Sequence, residues 1–234
     1  MPLFKFMKSE HVHYVMERET LRLCRQGYYR RLYETTKDHF RGDNEDGRSK
    51  LTATSILTSA GDETSQKLQR LGIIIKGKDT SIGQLSVGAT FDYFIYCVAR
   101  GEFEDLKPAM YTKSEANLEP YDACLELVDE ARFHRRLAGL SVNSPSAPAG
   151  GLSWKASRFL EVKYADVPGD ALSEGHSPLI KRTLFSSQRE WRLLFDVHDE
   201  RGQRAWQDVD LIELHVPGLS ECFRIVDAGP SGSG

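Results

Sequence analysis

No run of about 20 apolar residues occurs in this chain, so its sequence offers no helix able to span a bilayer. The opening stretch MPLFKFMKSEHVHYVMERE has neither a long apolar core nor a small-residue cleavage site, and no signal peptide is read there. A soluble, cytoplasmic protein with no membrane partner is the expectation. Cysteine is scarce. Cys24, Cys97, Cys124 and Cys222 lie far apart with no C-x-x-C pair, and three of them sit inside the apolar runs FIYCVA, YDACLEL and ECFRIV. That placement predicts unpaired, buried thiols in a reducing compartment. The seven histidines are scattered, and His11 and His13 stand two apart on one short helix, where they do not face each other as ligands at i, i+4 would. No metal site is expected. There is no G-x-x-x-x-G-K-[ST], no strand-coupled G-x-G-x-x-G and no G-x-S-x-G, which disfavours P-loop ATP hydrolysis, a Rossmann cofactor site and serine esterase chemistry. Charge of one sign is also lacking, with a net −3 over 234 residues, so no overall field draws nucleic acid or membrane.

What is present suits a folded domain: 40% hydrophobic residues and 28% charged ones support a core. The periodicity predicts strands at Leu3 to Phe6, TLRLCR, TATSILTS, GIIIKG, FDYFIYCVA, YDACLELVD and SRFLEVKYADV. EWRLLFDVH and DVDLIELHV are expected to pair with one another around a polar turn, and CFRIV to close the ladder. Helices are predicted over EHVHYVMERE, capped by Ser9, and over DEARFHRRLAGL, capped by Asp129 with Phe133, Leu137 and Leu140 inward. FDYFIYCVA is expected to be a central buried strand. The reading is one α+β domain over residues 1–226, mostly antiparallel β with short helices, followed by a disordered tail at 227–234.

The candidate functional residues come from separate segments. Glu190 alternates with Arg192 and Leu194, so Trp191, Leu193 and Phe195 face the other way into the core. Glu190 and Arg192 form either a surface pair across the pleat or a cleft acid with its orienting cation. Lys181, in the segment leading to Glu190, is an exposed loop lysine or an anion contact. Arg22, on the polar side of TLRLCR, makes a salt bridge or holds a phosphate. RLCRQGYYRRLYE packs four Arg and three Tyr into thirteen residues. Tyr28, Tyr29 and Tyr33 there are either amphipathic packing or stacking surfaces for a base. Asp43, Glu45 and Asp46 are turn residues or acids at a cleft rim.

Three stretches, LFKFM…VMERETLRLCR…DNEDG, FIYCVARGEFEDL…YDACLELVDEARFHRRL and VKY…SPLIKRTLFSSQREWRL, together resemble a bacterial family of unknown function. Its members open with an LYKY-like strand and close on a Lys followed by E-x-EWR. The opening strand-helix-strand is in turn similar to that of ADP-ribosyltransferase-like proteins, including nucleic-acid-modifying toxins. The resemblance implies an ADP-ribosyltransferase-like fold, NAD as substrate, and a nucleic-acid or protein acceptor in a toxin or antiviral-defence setting. On this chain Glu190 and Arg192 would be catalytic, and Lys5, Arg22, Tyr33 and Lys181 would hold NAD. Two departures stand out: Lys5 and Phe6 occupy the place of a His motif in the first strand, and Gln188-Arg189 precede Glu190 where the family has a second acid. The alternative is a non-catalytic binding or assembly module on the same fold. The sequence sets no oligomeric state.

Overall fold

The computed structural model describes residues 1–36, 48–53, 56–70, 73–83, 85–90, 92–111, 120–138, 152–154, 158–164, 179–197 and 209–228. Among them the strands are β1 (Leu3–Met7), β2 (Thr20–Arg25), β3 (Arg48–Ala53), β4 (Ile56–Thr58), β5 (Thr80–Ile82), β6 (Leu85–Thr90), β7 (Phe94–Arg100), β8 (Ala123–Leu127), β9 (Leu152–Trp154), β10 (Leu160–Glu161), β11 (Lys163–Tyr164), β12 (Ile180–Lys181), β13 (Glu190–Val197), β14 (Leu211–His215) and β15 (Phe223–Asp227). The helices are α1 (Val12–Met16), α2 (Gln26–Thr36), α3 (Glu63–Arg70), α4 (Phe103–Met110) and α5 (Glu130–Ala138). The result is a mixed α+β chain, mostly antiparallel sheet with a few short helices.

The central strand is β7, whose FIYCVAR is apolar on both faces. One edge pairs along its length with β13. The other edge forks. Arg100 and Ala99 pair with Leu3 and Phe4 of β1, while Ile95 and Phe94 pair with Cys24 and Arg25 of β2. Each branch is drawn away by its own outer partner: β1 pairs over all five residues with β8, and β2 over Thr20–Cys24 with β14. Tyr96, Cys97 and Val98 lie between the branches, with no strand partner on that edge among the described residues. β8 carries β15 at the end of one branch.

Both faces of the sheet are covered. α5 lays Phe133 and Leu137 on one face, against Leu3, Tyr96, Val98, Leu125, Leu193 and Phe195. Leu106 of α4 packs on the other face against Phe4, Phe6, Ala99 and Cys124. The inward placement of Leu193 and Phe195, with Trp191 packed beside them, agrees with the alternation in EWRLLF. Asp129 caps α5 as expected, its Oδ1 accepting from the Arg132 N–H at 2.8 Å.

Several expectations are corrected. β13 and β14 do not pair; β13 lies against β7, β9 and β10, and β14 against β2. β15 does not close their ladder but edges β8. Residues 73–76 of GIIIKG form no strand, and Ile74 there is exposed. SRFLEVKYADV breaks at Val162, whose N–H bonds the Glu190 carbonyl, so β10 joins β13 while β11 runs parallel to β12. Ser9 does not cap its helical segment through its own hydroxyl. Asp122, more than a hundred residues away, accepts from Ser9 N at 2.6 Å and Ser9 Oγ at 3.0 Å. Asp227, assigned to the tail by sequence, ends β15 and accepts from Lys107 Nζ at 2.9 Å. The remaining tail, 229–234, lies outside the described residues, as do Leu140, Asp43, Glu45 and Asp46.

All four cysteines are free, with Cys124 and Cys222 buried and Cys24 and Cys97 half-buried. Thiol titration of the denatured protein without reductant should therefore return four thiols; a smaller number would show a disulfide and sink the assignment.

Candidate functional site in the fork of the sheet

The divergence of β1 from β2 opens a cleft of about 510 Å³. Lys5 and Phe6 line it from β1, Arg22 and Cys24 from β2, and Tyr28 and Tyr29 from α2. Tyr96 forms part of its floor. A second, smaller cavity of about 70 Å³ adjoins it and shares Lys5, Phe6, Tyr29 and Tyr121. Lys181, Gln188, Glu190 and Arg192 line the smaller one.

Local geometry explains how Glu190 reaches this cavity. A 3-10 turn, Thr183–Gln188, ends on Arg189 in the left-handed region at φ 44°, and the chain then enters β13. Gln188, Glu190 and Arg192 are buried together, at 9%, 7% and 1% exposure, with Lys181 of β12 at 8%. Arg192 Nε donates to Glu190 Oε1 at 2.5 Å, and Lys181 Nζ donates to Glu190 Oε2 at 2.8 Å and to Gln188 Oε1 at 2.9 Å. The Glu190 N–H is itself taken by the Tyr164 hydroxyl at 2.7 Å. Burial opposes the charge on Glu190, but Arg192 and Lys181 beside it outweigh burial and hold the carboxyl well below its ordinary range. Glu190 is therefore the ionised partner of both cations at neutral pH. Burial first, and then the same carboxylate, push the Cys97 thiol far up, so Cys97 is a protonated neighbour.

Lys5 stands at the branching point. Its Nζ donates to the Cys97 carbonyl at 2.9 Å and lies 4.6 Å from the centre of the Tyr96 ring. With β1 and β2 both turned away at Cys97, the ammonium serves a carbonyl on the edge of β7 opposite β13, which has no strand partner there among the described residues. Arg22 has its Nε 3.2 Å from Glu213 Oε1, the residue opposite it on β14, so the salt-bridge alternative is realised while the side chain still lines the cleft. Tyr33 lies on α2, and its side chain is outside the described residues.

Of the six residues named from sequence, Lys181, Glu190 and Arg192 line the smaller cavity, Arg22 lines the larger cleft, and Lys5 lines both. Of the alternatives for Lys181 and the Glu190–Arg192 pair, the exposed loop lysine and the surface pair are excluded, since all three side chains are buried. Both β13 faces are covered, so the polar face of the alternation is an interior one. Sequence reasoning missed Gln188, Tyr164, Tyr121, Lys8, His11 and Tyr14. The one available signal was the shared parity of Gln188, Glu190 and Arg192 in QREWR. Among the described residues no three His, Cys, Asp or Glu side chains gather as a metal site, and no helix is long and apolar enough to cross a membrane. No protein-family model, curated protein or solved structure matches the chain.

Proposed function

We propose that the fork is a dinucleotide-binding cleft and that the protein is an ADP-ribosyltransferase-like enzyme. It would use NAD as substrate and act on a nucleic-acid or protein acceptor, in the manner of a toxin or antiviral-defence effector. One observation carries this reading: Lys5, Arg22, Lys181, Glu190 and Arg192, from four separate strands, line two adjoining cavities. The reaction breaks the bond between nicotinamide and ribose through an oxocarbenium-like state. It needs a carboxylate to steady the cation through the ribose 2′-hydroxyl, a cation for the pyrophosphate and rings for the bases. An ionised Glu190 is suited to the first task. Both its oxygens already accept charge-assisted bonds, yet a carboxylate retains further lone pairs for a ribose hydroxyl. Lys5 and Arg22 flank the larger cleft, and Tyr28 and Tyr29 offer stacking faces.

Incubation with nicotinamide-labelled NAD and mixed acceptors should release nicotinamide. Arg22→Gln should weaken NAD binding roughly tenfold, the worth of one charge-assisted contact. It should barely change stability, since the pair with Glu213 is partly exposed. The second reading, a non-catalytic binding module, is favoured by the engagement of both Glu190 oxygens. NAD binding without nicotinamide release would decide for it; no binding at all would remove the dinucleotide from both readings.

A further inference from the structure

The wall of the larger cleft where the chain passes from β1 to β2 carries a second group of side chains. His11 ends the Ser9–His11 turn, and its ring centre lies 5.9 Å from that of Tyr14, edge-on. The Arg22 guanidinium carbon approaches the same Tyr14 ring to 5.1 Å from β2. His11, Tyr14 and Arg22 all line the cleft, together with Lys8 and Lys5. The turn is not a loose one, because Asp122 grips both the N–H and the hydroxyl of Ser9. This wall sets an imidazole beside the Lys8 and Arg22 side chains, with Glu10 against the ring and Glu213 against Arg22, so an arriving anion can shift the ring toward its charged form.

We propose that the Lys8–His11–Arg22 wall binds the phosphate group of an anionic ligand, and that binding takes up one proton from solvent at the His11 imidazole. The groups facing His11 are Glu10 and His13 from neighbouring positions of its own segment, Tyr14 of α1, and Arg22 of β2. Glu10 Oε1 lies 3.8 Å from His11 Nε2 and favours the charged ring. Burial and Arg22 outweigh it, with His13 adding to them, and hold His11 below its ordinary 6.5. As the groups stand, His11 is therefore mostly uncharged at neutral pH. A phosphate beside it and Arg22 supplies negative charge that stabilises the imidazolium, so the ring charges as the anion arrives. No other bond is made or broken. The sign follows from linkage. A group whose pKa rises on binding strengthens binding at low pH, and that gain is lost as pH rises through the value in the complex.

The inference rests on the dinucleotide reading only for the identity of the ligand. The phosphate chemistry is shared by NAD, ADP-ribose and free pyrophosphate. Calorimetric titration of the full chain with ADP-ribose and with inorganic pyrophosphate, in two buffers of different ionisation enthalpy, counts the protons. Uptake of up to about one proton per ligand is expected near neutral pH, with affinity falling by up to about tenfold per pH unit. His11→Gln should abolish both the uptake and the pH slope, and His13→Gln should keep them. ADP-ribose binding without proton uptake, or a slope that persists in His11→Gln, overturns the proposal and leaves the dinucleotide reading standing. Pyrophosphate bound with an uptake that His11→Gln abolishes, while ADP-ribose and NAD fail to bind, leaves the proposal standing and overturns the dinucleotide reading. Binding of neither ligand at any pH overturns both. Should His11→Gln not fold, the proton count of the parent protein decides alone.

Discussion

Glu190→Gln is expected to destabilise the protein by about 3–5 kcal/mol, the cost of removing one partner from a buried ion pair. Arg192 and Lys181 are 1% and 8% exposed, and both direct a donor at the same carboxylate. An amide keeps one acceptor for Arg192 but turns an N–H group toward the Lys181 ammonium, donor against donor. Two buried cations then lose the carboxylate charge that both of them face. Urea denaturation measures the loss; an unchanged midpoint would show that the network is not formed as described. Replacing Lys181, Glu190 and Arg192 together by apolar residues of similar size should recover most of it, because the charges leave as a set. The pH dependence has a definite sign. Glu190 has a folded pKa depressed below the ordinary 4.5, so its contribution is fully present above about that pH. It is lost as pH falls from there through the folded value, and the gap between parent and Glu190→Gln should close in acid. If Glu190 also serves the reaction, activity per folded molecule should drop a further 10²–10³-fold or so.

Phe195→Ala should cost about 3–5 kcal/mol, mainly through the cavity it leaves. The ring is wholly buried on the face of β13 that carries Leu193 and shares a core with Tyr96 and Phe133. Its backbone stands between Phe94 of β7 and Trp154 of β9, so neither neighbouring strand can close the hole without leaving its own register. A fall of roughly 10 °C in melting temperature is expected for a chain of this size. Leu184→Ala, half-exposed on the 3-10 turn, should stay within about 0.5 kcal/mol of the parent and serves as the contrast. A Phe195→Ala melt that matches the Leu184→Ala one would show that β13 presents its other face to this core.

The alternation in LFKFM, TLRLCR, ACLEL and EWRLLF is a property of neighbouring residues, and it determined which stretches are strands and which side chains lie on a common face. The aromatic, apolar FIYCVAR likewise marked a strand buried on both sides before any partner was known. Choice of partner is a different kind of quantity. EWRLLFDV and LIELH sit close in sequence with a polar turn between them, yet their edges are taken by β7 and β2, with which they build the larger core. The energy that selects those pairings comes from contacts across 91 or more residues, and no local pattern carries it. Burial of the polar face was settled in the same way. Alternation put Glu190 and Arg192 on one side of β13. Lys181 of β12, Gln188 and the Phe4–Phe6 layer beneath α4 turned that side into an interior where only a paired carboxylate is tolerated. The cleft itself has no sequence mark, because it exists only where β1 and β2 leave β7 for separate partners.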